Sequence, residues 1–369
     1  VTEIPFKDAP FPITGGTAEL SMDDRFGQRI HVAEFKDLNT TGTFGGGTGN
    51  DSPCIQAAFD LAFGNASTPH GEADKNLNRV VEFPPGNFRC TSTLNLTRVV
   101  GGYIVGAGYG PTRLFYDGTM PGGSTLTPLL NINGATGLVV ERMVFRGGGG
   151  LGVNGCAINL DWDGTSGGDG LKRNMFTSVG IEGGEYGIII GHAGGLQGNN
   201  NMFVNCNVGS YGVGIDVRGP QALSNSALGG GGAYNSIAYV RCPAGGGSFH
   251  AQCVSVVNAL DFIMESNNVM HIAQCRTESS KLLRMENGLV SVQALTIAGG
   301  VAGFAEVNGG VLTLECSELG YTEVSSIIGT GGKVNLMSII ASDDGSMPAA
   351  LLADYEGTVG YNPDGWPVP

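Results

Sequence analysis

Along most of this chain apolar and polar positions alternate over stretches of five to eight residues, the period of short strands with one face buried. One type of segment recurs: NMFTSVGI from Asn174, NMFVNCNV from Asn201, NSIAYVRC from Asn235, NVMHIAQC from Asn268, LVSVQALT from Leu289, VLTLECSE from Val311 and KVNLMSII from Lys333. Their starts lie 27, 34, 33, 21, 22 and 22 residues apart. Between them runs a second strand: LLNIN (129–133), AINLD (157–161), GIIIG (187–191), GIDVR (214–218), DFIME (261–265), LLRME (282–286) and FAEVN (304–308). A single unit of this kind cannot bury its own apolar face, whereas stacked units share one core and pair every backbone group with the coil above or below. The pattern therefore predicts an all-β solenoid, a parallel β-helix; a propeller would need longer, four-stranded blades. The bare coil is about 21 residues, so the longer units carry insertions, placed within 161–258.

The clearest helical spacing is DSPCIQAAFDLAFG (51–64), with Asp51 or Ser52 as N-cap, Pro53 in the first turn and Ile55, Ala58, Phe59 and Leu61 on one face. A solenoid needs a cap over its open end, and this α-helix, near 51–63, is the expected one. The expected organisation is an N-terminal arm (1–30), the β-helix (31–341) and an extended C-terminal tail (342–369) rich in turn formers.

The composition agrees with this picture and narrows the partners. Gly accounts for 64 of 369 residues, which suits tight corners where φ is positive. A formal net charge of −14 opposes binding to nucleic acid or anionic membranes. No stretch of 18 uninterrupted apolar residues predicts membrane insertion, and the opening VTEIPFKDAPFP does not read as a leader. The eight cysteines stand singly, without a C-x-x-C pair, and are expected as buried thiols. Cys242 and Cys275 are expected at one position of successive coils, and Cys206 and Cys316 at one position farther apart.

Several N-terminal segments resemble the pectate-lyase-like β-helix superfamily: VAEFKD (32–37), TGTFGGGTG (41–49), NDSPCIQAAFDLA (50–62), VEFPPGNF (81–88) and IVGAGYGPTRL (104–114). The preceding LSMDDRFGQRIHVAEFKD (20–37) is similar to the lead-in of phage tail spikes of the polysaccharide-depolymerase type. The resemblance implies a right-handed coil and a virion-borne or extracellular homotrimer that binds or cuts a bacterial surface polysaccharide. It supplies no catalytic residue, because the family signatures N-T-D, G-H-G and R-x-P-x-x-R are absent; Gly191-His192-Ala193 departs at its third position.

Candidate chemistry follows from position. If the second strands are in register, Asn133, Asp161, Gly191, Arg218, Glu265, Glu286 and Asn308 form one outward row, bordering insertions at 161–173, 191–201 and 218–234. Glycoside hydrolysis needs two carboxyl groups about 5–9.5 Å apart. Asp161 and Asp163 are the first pair, with Glu265 as substitute partner. Lyase chemistry would instead need a base and a cationic group, from His192, Arg218, Lys172 and Arg173, or Ca²⁺ at a metal-assisted site; no other cofactor is expected. Asp169 would line the same groove. Trp162, Tyr186, Tyr211 and Tyr234, beside the insertions, are the sugar-stacking candidates. The cluster Arg276, Glu278, Lys281, Arg284 and Glu286 reads as a salt-bridged surface or a subunit contact. A hydrolase, a lyase and a non-catalytic adhesin or structural virion component all remain open at this point.

Overall fold

The computed structural model describes residues 29–64, 79–120, 125–162, 171–191, 198–279, 281–297, 305–315, 327–337 and 355–362. They form a parallel β-helix. Sheet I holds ten strands stacked in chain order, from Leu94–Thr97 and Thr127–Asn133 to Ala305–Val307 and Ile327–Ile328. Sheets II and III are joined by Met202–Gly209 and Asn225–Ala233, which run through the corner between them. Every rung pairs parallel with the next, so backbone groups are satisfied along the axis while side chains alternate between core and surface.

The inward column of sheet II is Ile104, Val140, Phe176, Phe203, Ala227, Ala251, Ile272, Val292 and Leu314, all buried. Phe176 and Phe203 stack with ring centroids 5.2 Å apart. The corner from sheet II to sheet III takes a left-handed residue on each of seven successive rungs: Arg142, Ser178, Asn205, Gly229 (followed by Gly230, also left-handed), Cys253, Gln274 and Ala294. Most are not glycine, so each accepts roughly 1 kcal/mol of strain that the flanking ladders outweigh.

The sequence pattern and the structure part company between 201 and 268. Asn235–Cys242 was expected to follow Asn201 in sheet II, but Ala238–Cys242 belongs to sheet I, between Val213–Val217 and Phe262–Met264. The sheet II rungs are instead Met202, Ser226, His250, His271 and Ser291, spaced by 24, 24, 21 and 20 residues. The two longest units thus resolve into three ordinary coils, and sheet I gains a rung. At the ends, Arg29–His31 pairs with Val80–Glu82, and Thr358–Asn362 adds a rung to Lys333–Met337. The ladder therefore reaches into the stretch expected as tail.

Helix α1 (Ser52–Phe63) covers the open end with Ile55, Ala58, Phe59, Ala62 and Phe63 buried, while Leu61 faces outward. Asp51 makes no side-chain capping bond. Its buried carboxylate accepts from Asn39 Nδ2 (2.7 Å), Arg89 N (3.0 Å) and Gly45 N (3.3 Å), tying the glycine-rich turn and a sheet III strand to the helix start. Burial still holds its pKa above the usual carboxylate value.

Cys54, Cys90, Cys156, Cys206, Cys242 and Cys275 are buried free thiols and Cys253 is exposed; Cys316 lies outside the described residues. Cys242 stands opposite Met264 in sheet I, not over Cys275. Cys275 shares its column with Cys206, three rungs below through Gly230 and Val254.

Candidate functional site

Sheet I carries the expected outward row on its surface. Asp161 pairs with Asn133. Gly191 N then donates to Leu160 O (2.7 Å), Arg218 N to Ile190 O (2.9 Å), Glu265 N to Cys242 O (2.9 Å), Glu286 N to Met264 O (2.8 Å) and Asn308 N to Met285 O (2.8 Å). The additional rung inserts Pro243 between Arg218 and Glu265. At ~4.8 Å per rung Arg218 is roughly 10 Å from Asp161 and from Glu265, which are themselves ~19 Å apart. Glu265 therefore cannot be the second carboxyl for Asp161, because the two-acid geometry ends at about 9.5 Å. Its neighbour on the next rung is Glu286.

Asp161 is nearly buried at 8% exposure, and its Oδ1 accepts Trp162 N at 2.8 Å. Trp162 is half-buried against the core, as a loop anchor would be. Asp163, Asp169 and His192 lie outside the described residues. Lys172 sits in a two-stranded patch, Leu171–Lys172 against Gly198–Asn199, where the chain returns from sheet I to sheet II. Arg173 follows as a left-handed corner residue with φ 58°.

Tyr211 and Tyr234 precede the sheet I strands Val213–Val217 and Ala238–Cys242, so they occupy the opposite edge, both exposed. Tyr186 begins the strand Tyr186–Ile190, and its ring lies under the Arg218 guanidinium at 4.5 Å.

That contact belongs to a cluster the row analysis missed. Asp216 is fully buried and stands opposite Arg241. Its carboxylate accepts from Arg218 Nε (2.7 Å) and from Arg241 Nε and Nη2 (2.9 and 2.7 Å). Burial alone would lower the pKa of Arg241; the hydrogen bonds and charge of Asp216 outweigh it and raise it. Two guanidiniums on one carboxylate leave a net positive charge on this part of the sheet, against the sign of the whole chain. The legible signal was an Asp inside the apolar strand GIDVR: a charge there must find a partner.

A second cluster continues along the sheet. Arg284 Nη2 lies 3.1 Å from Glu265 Oε1, and its Nε 4.0 Å from Glu286 Oε1. Lys281 Nζ meets Glu306 Oε2 at 2.7 Å, a hydrogen bond that holds the Glu306 carboxyl below its usual pKa. Asn308 Nδ2 donates to Glu286 (3.1 Å) and Glu306 (3.3 Å). Arg276 and Glu278, expected in the same group, pair with each other at 2.6 Å at the sheet III edge. Among the described residues no three His, Cys, Asp or Glu side chains form a group that could hold a metal ion.

No protein-family model matches the sequence, and no curated protein matches it. Solved structures do match the fold. The enzymatically active domain of tailspike protein 2 from bacteriophage CBA120 is 11% identical with a TM-score of 0.58, over 98% of this chain and 55% of that one. Tailspike protein 3 of the same phage gives 11% and 0.50, over 89% and 51%. The catalytic unit of a GH87 α-1,3-glucanase from Streptomyces thermodiastaticus gives 11% and 0.52, over 90% and 67%. The chain is thus a β-solenoid of the architecture found in phage tailspikes and in glucan-cleaving enzymes, and it spans about half the length of the tailspike chains. Among the described residues no helix is long and apolar enough to cross a membrane.

Proposed function

We propose that this chain is the glycan-processing solenoid of a tail-spike-type virion protein, which binds a bacterial surface polysaccharide along sheet I and hydrolyses it. The observation carrying this reading is the likeness of fold across 98% of the chain to a tailspike's enzymatically active domain. Glu265 and Glu286, on adjacent rungs with Arg284 between them, are the proposed acid pair. One protonates the glycosidic oxygen; the other activates water or attacks the anomeric carbon. Arg284 positions both carboxylates.

A second reading, adhesion without cleavage, is favoured by one feature: Glu265, Glu286 and Glu306 are each engaged by Arg284, Lys281 or Asn308, as in a purely structural ladder. Incubation with purified capsular and lipopolysaccharide glycans, followed by mass analysis, separates the two. Hydrolysis releases saturated oligosaccharides. Glu265→Gln and Glu286→Gln each reduce release at least a hundredfold with little change in melting temperature, while Asp161→Asn leaves it near wild type. Unsaturated products would establish a lyase, binding without release an adhesin, and loss in Asp161→Asn or Asp163→Asn alone would move the acids to the first pair.

A further inference from the structure

A groove lies away from both charged clusters, at the capped end of sheet I. It has a volume of about 710 Å³, within the range of a ligand site. Its floor is a two-by-two grid set by the strand register, Asn95 opposite Asn131 and Thr97 opposite Asn133, and its wall is helix α1 with Gln56 and Asp60. The lining is nearly all hydroxyl and amide, unsuited to an apolar ligand, and its one charged side chain is a carboxylate.

The groups are held in place before any ligand arrives. Gln56 clamps the helix to the strand: its Nε2 donates to Asn95 O (2.9 Å) and Asp60 Oδ1 (2.8 Å), and its Oε1 accepts Asn95 N (2.8 Å). An amide ladder fixes the floor, Asn159 Nδ2 to Asn131 Oδ1 (2.9 Å) and Asn131 Nδ2 to Asn95 Oδ1 (3.3 Å). Each amide therefore has a set orientation and retains hydrogen-bonding capacity toward the groove. The rung repeat, ~4.8 Å, is of the order of one pyranose residue, so a chain lying along the solenoid axis meets a polar pair at each sugar. Asp60, in a chain of net charge −14, accepts from sugar hydroxyls and repels uronates.

We propose that this groove is a separate binding subsite for a neutral polysaccharide, independent of the charged row that would do the chemistry. It rests on the glycan reading for the ligand class alone. Calorimetric titration with maltohexaose, cellohexaose and laminarihexaose, and with hexagalacturonate as the acidic counterpart, tests it. At least one neutral hexamer binds, protecting segments 93–97 and 129–133 from hydrogen exchange. Asn131→Leu and the near-isosteric Thr97→Val each weaken binding about tenfold or more, the scale of one to two hydrogen bonds. Glu265→Gln and Glu286→Gln leave the exchange protection of 93–97 and 129–133 unchanged. The proposal is overturned if no neutral hexamer binds, if hexagalacturonate binds better, if Thr97→Val and Asn131→Leu both bind like wild type, or if the protection of 93–97 and 129–133 is lost in the glutamate variants. Failure of the hydrolase reading, seen as absent product release, leaves these binding outcomes intact.

Discussion

At the scale of single residues, the fold holds charged groups where water does not reach, and the environment decides what each can do. Asp216 is fully buried and serves two guanidiniums, so it is an organiser of Arg218 and Arg241. Asp261, also fully buried, is paired with no cation among the described residues: it accepts from Thr277 Oγ1 (2.5 Å), Asn258 Nδ2 (3.1 Å) and Ser279 Oγ. Burial outweighs these bonds and pushes its carboxyl up to about 6 from 3.8. Below pH 3.8 the group is protonated in both folded and unfolded chains. Between 3.8 and 6 the folded chain keeps a proton that the unfolded chain has released, so stability falls as pH rises through this window, by about 3 kcal/mol in total. Asp261→Asn should remove that slope. Urea unfolding at pH 4, 5, 6 and 7 is expected to show wild type losing ground to the variant with each step; a constant difference between them would mean the carboxyl does not titrate in this window.

At the scale of elements, what the chain made legible depended on side chains that declare a face. The strands from 268 to 337 carry aliphatic alternation on every rung, and there the pattern located the strands; the first step is 20 residues where the pattern gave 21, and the next two are 22 as expected. The cap helix was equally plain, except that Leu61 turned outward. The failure lay in Asn225–Ala233, whose run Leu228-Gly-Gly-Gly-Gly-Ala shows no alternation. Its glycines are required by neighbours: a Cβ on Gly232 would overlap the Tyr239 ring, the largest fully buried side chain, and one on Gly230 would meet the Cys206 carbonyl. A core position filled from the adjacent sheet leaves no apolar mark on its own strand. The Asn at each unit's start misled for a related reason, since two different ladders use it, Asn174–Asn201–Asn225 and Asn235–Asn258. With the missing rung went the spacing of the candidate site, so Glu265 was expected one rung closer to Asp161, and Asp216 and Arg241 were not aligned. In the first ladder Asn201 Oδ1 accepts Asn174 Nδ2 at 2.9 Å, and Asn201 Nδ2 donates to Asn225 Oδ1 at 2.9 Å, all three residues being buried. Asn201→Ala strands polar groups on both neighbours and is expected to cost about 2–3 kcal/mol in denaturant unfolding, against less than about 0.5 kcal/mol for the exposed Asn207→Ala. Equal effects would mean that the ladder contributes no stability.

At the scale of the whole molecule, the outer surface of sheet II differs in kind from that of sheet I. Val80, Tyr103, Val139, Met175 and Met202 follow one another on five successive rungs, a stripe ~19 Å long by rung spacing. Tyr103, Met175 and Met202 are 37–40% exposed, and Leu228 extends the patch at 40%. From Ser226 onward the column turns polar, through His250, His271 and Ser291. Copies with a net charge of −14 repel one another, so they associate best across an apolar surface; the five side chains of this stripe are uncharged, with Arg29 on the preceding rung and Glu82 and Glu141 beside it. For the homotrimer that the tail-spike resemblance implies, this stripe is the expected contact between copies, with sheet I left open. The double substitution Met175→Glu, Met202→Glu adds two carboxylates per chain at exposed positions, which leaves the core untouched but puts like charges into a closed contact. Light scattering after size exclusion is expected to give three chain masses for wild type and one for the variant, with superimposable circular dichroism. A trimer unchanged by both charges would place the contact elsewhere, and a monomeric wild type would remove the trimer from this chain. The same variant separates assembly from chemistry: if Glu265 and Glu286 act within one chain, its product release per chain stays within about threefold of wild type, a change of less than ~1 kcal/mol in barrier, whereas a site completed by the neighbouring copy would lose activity together with the trimer.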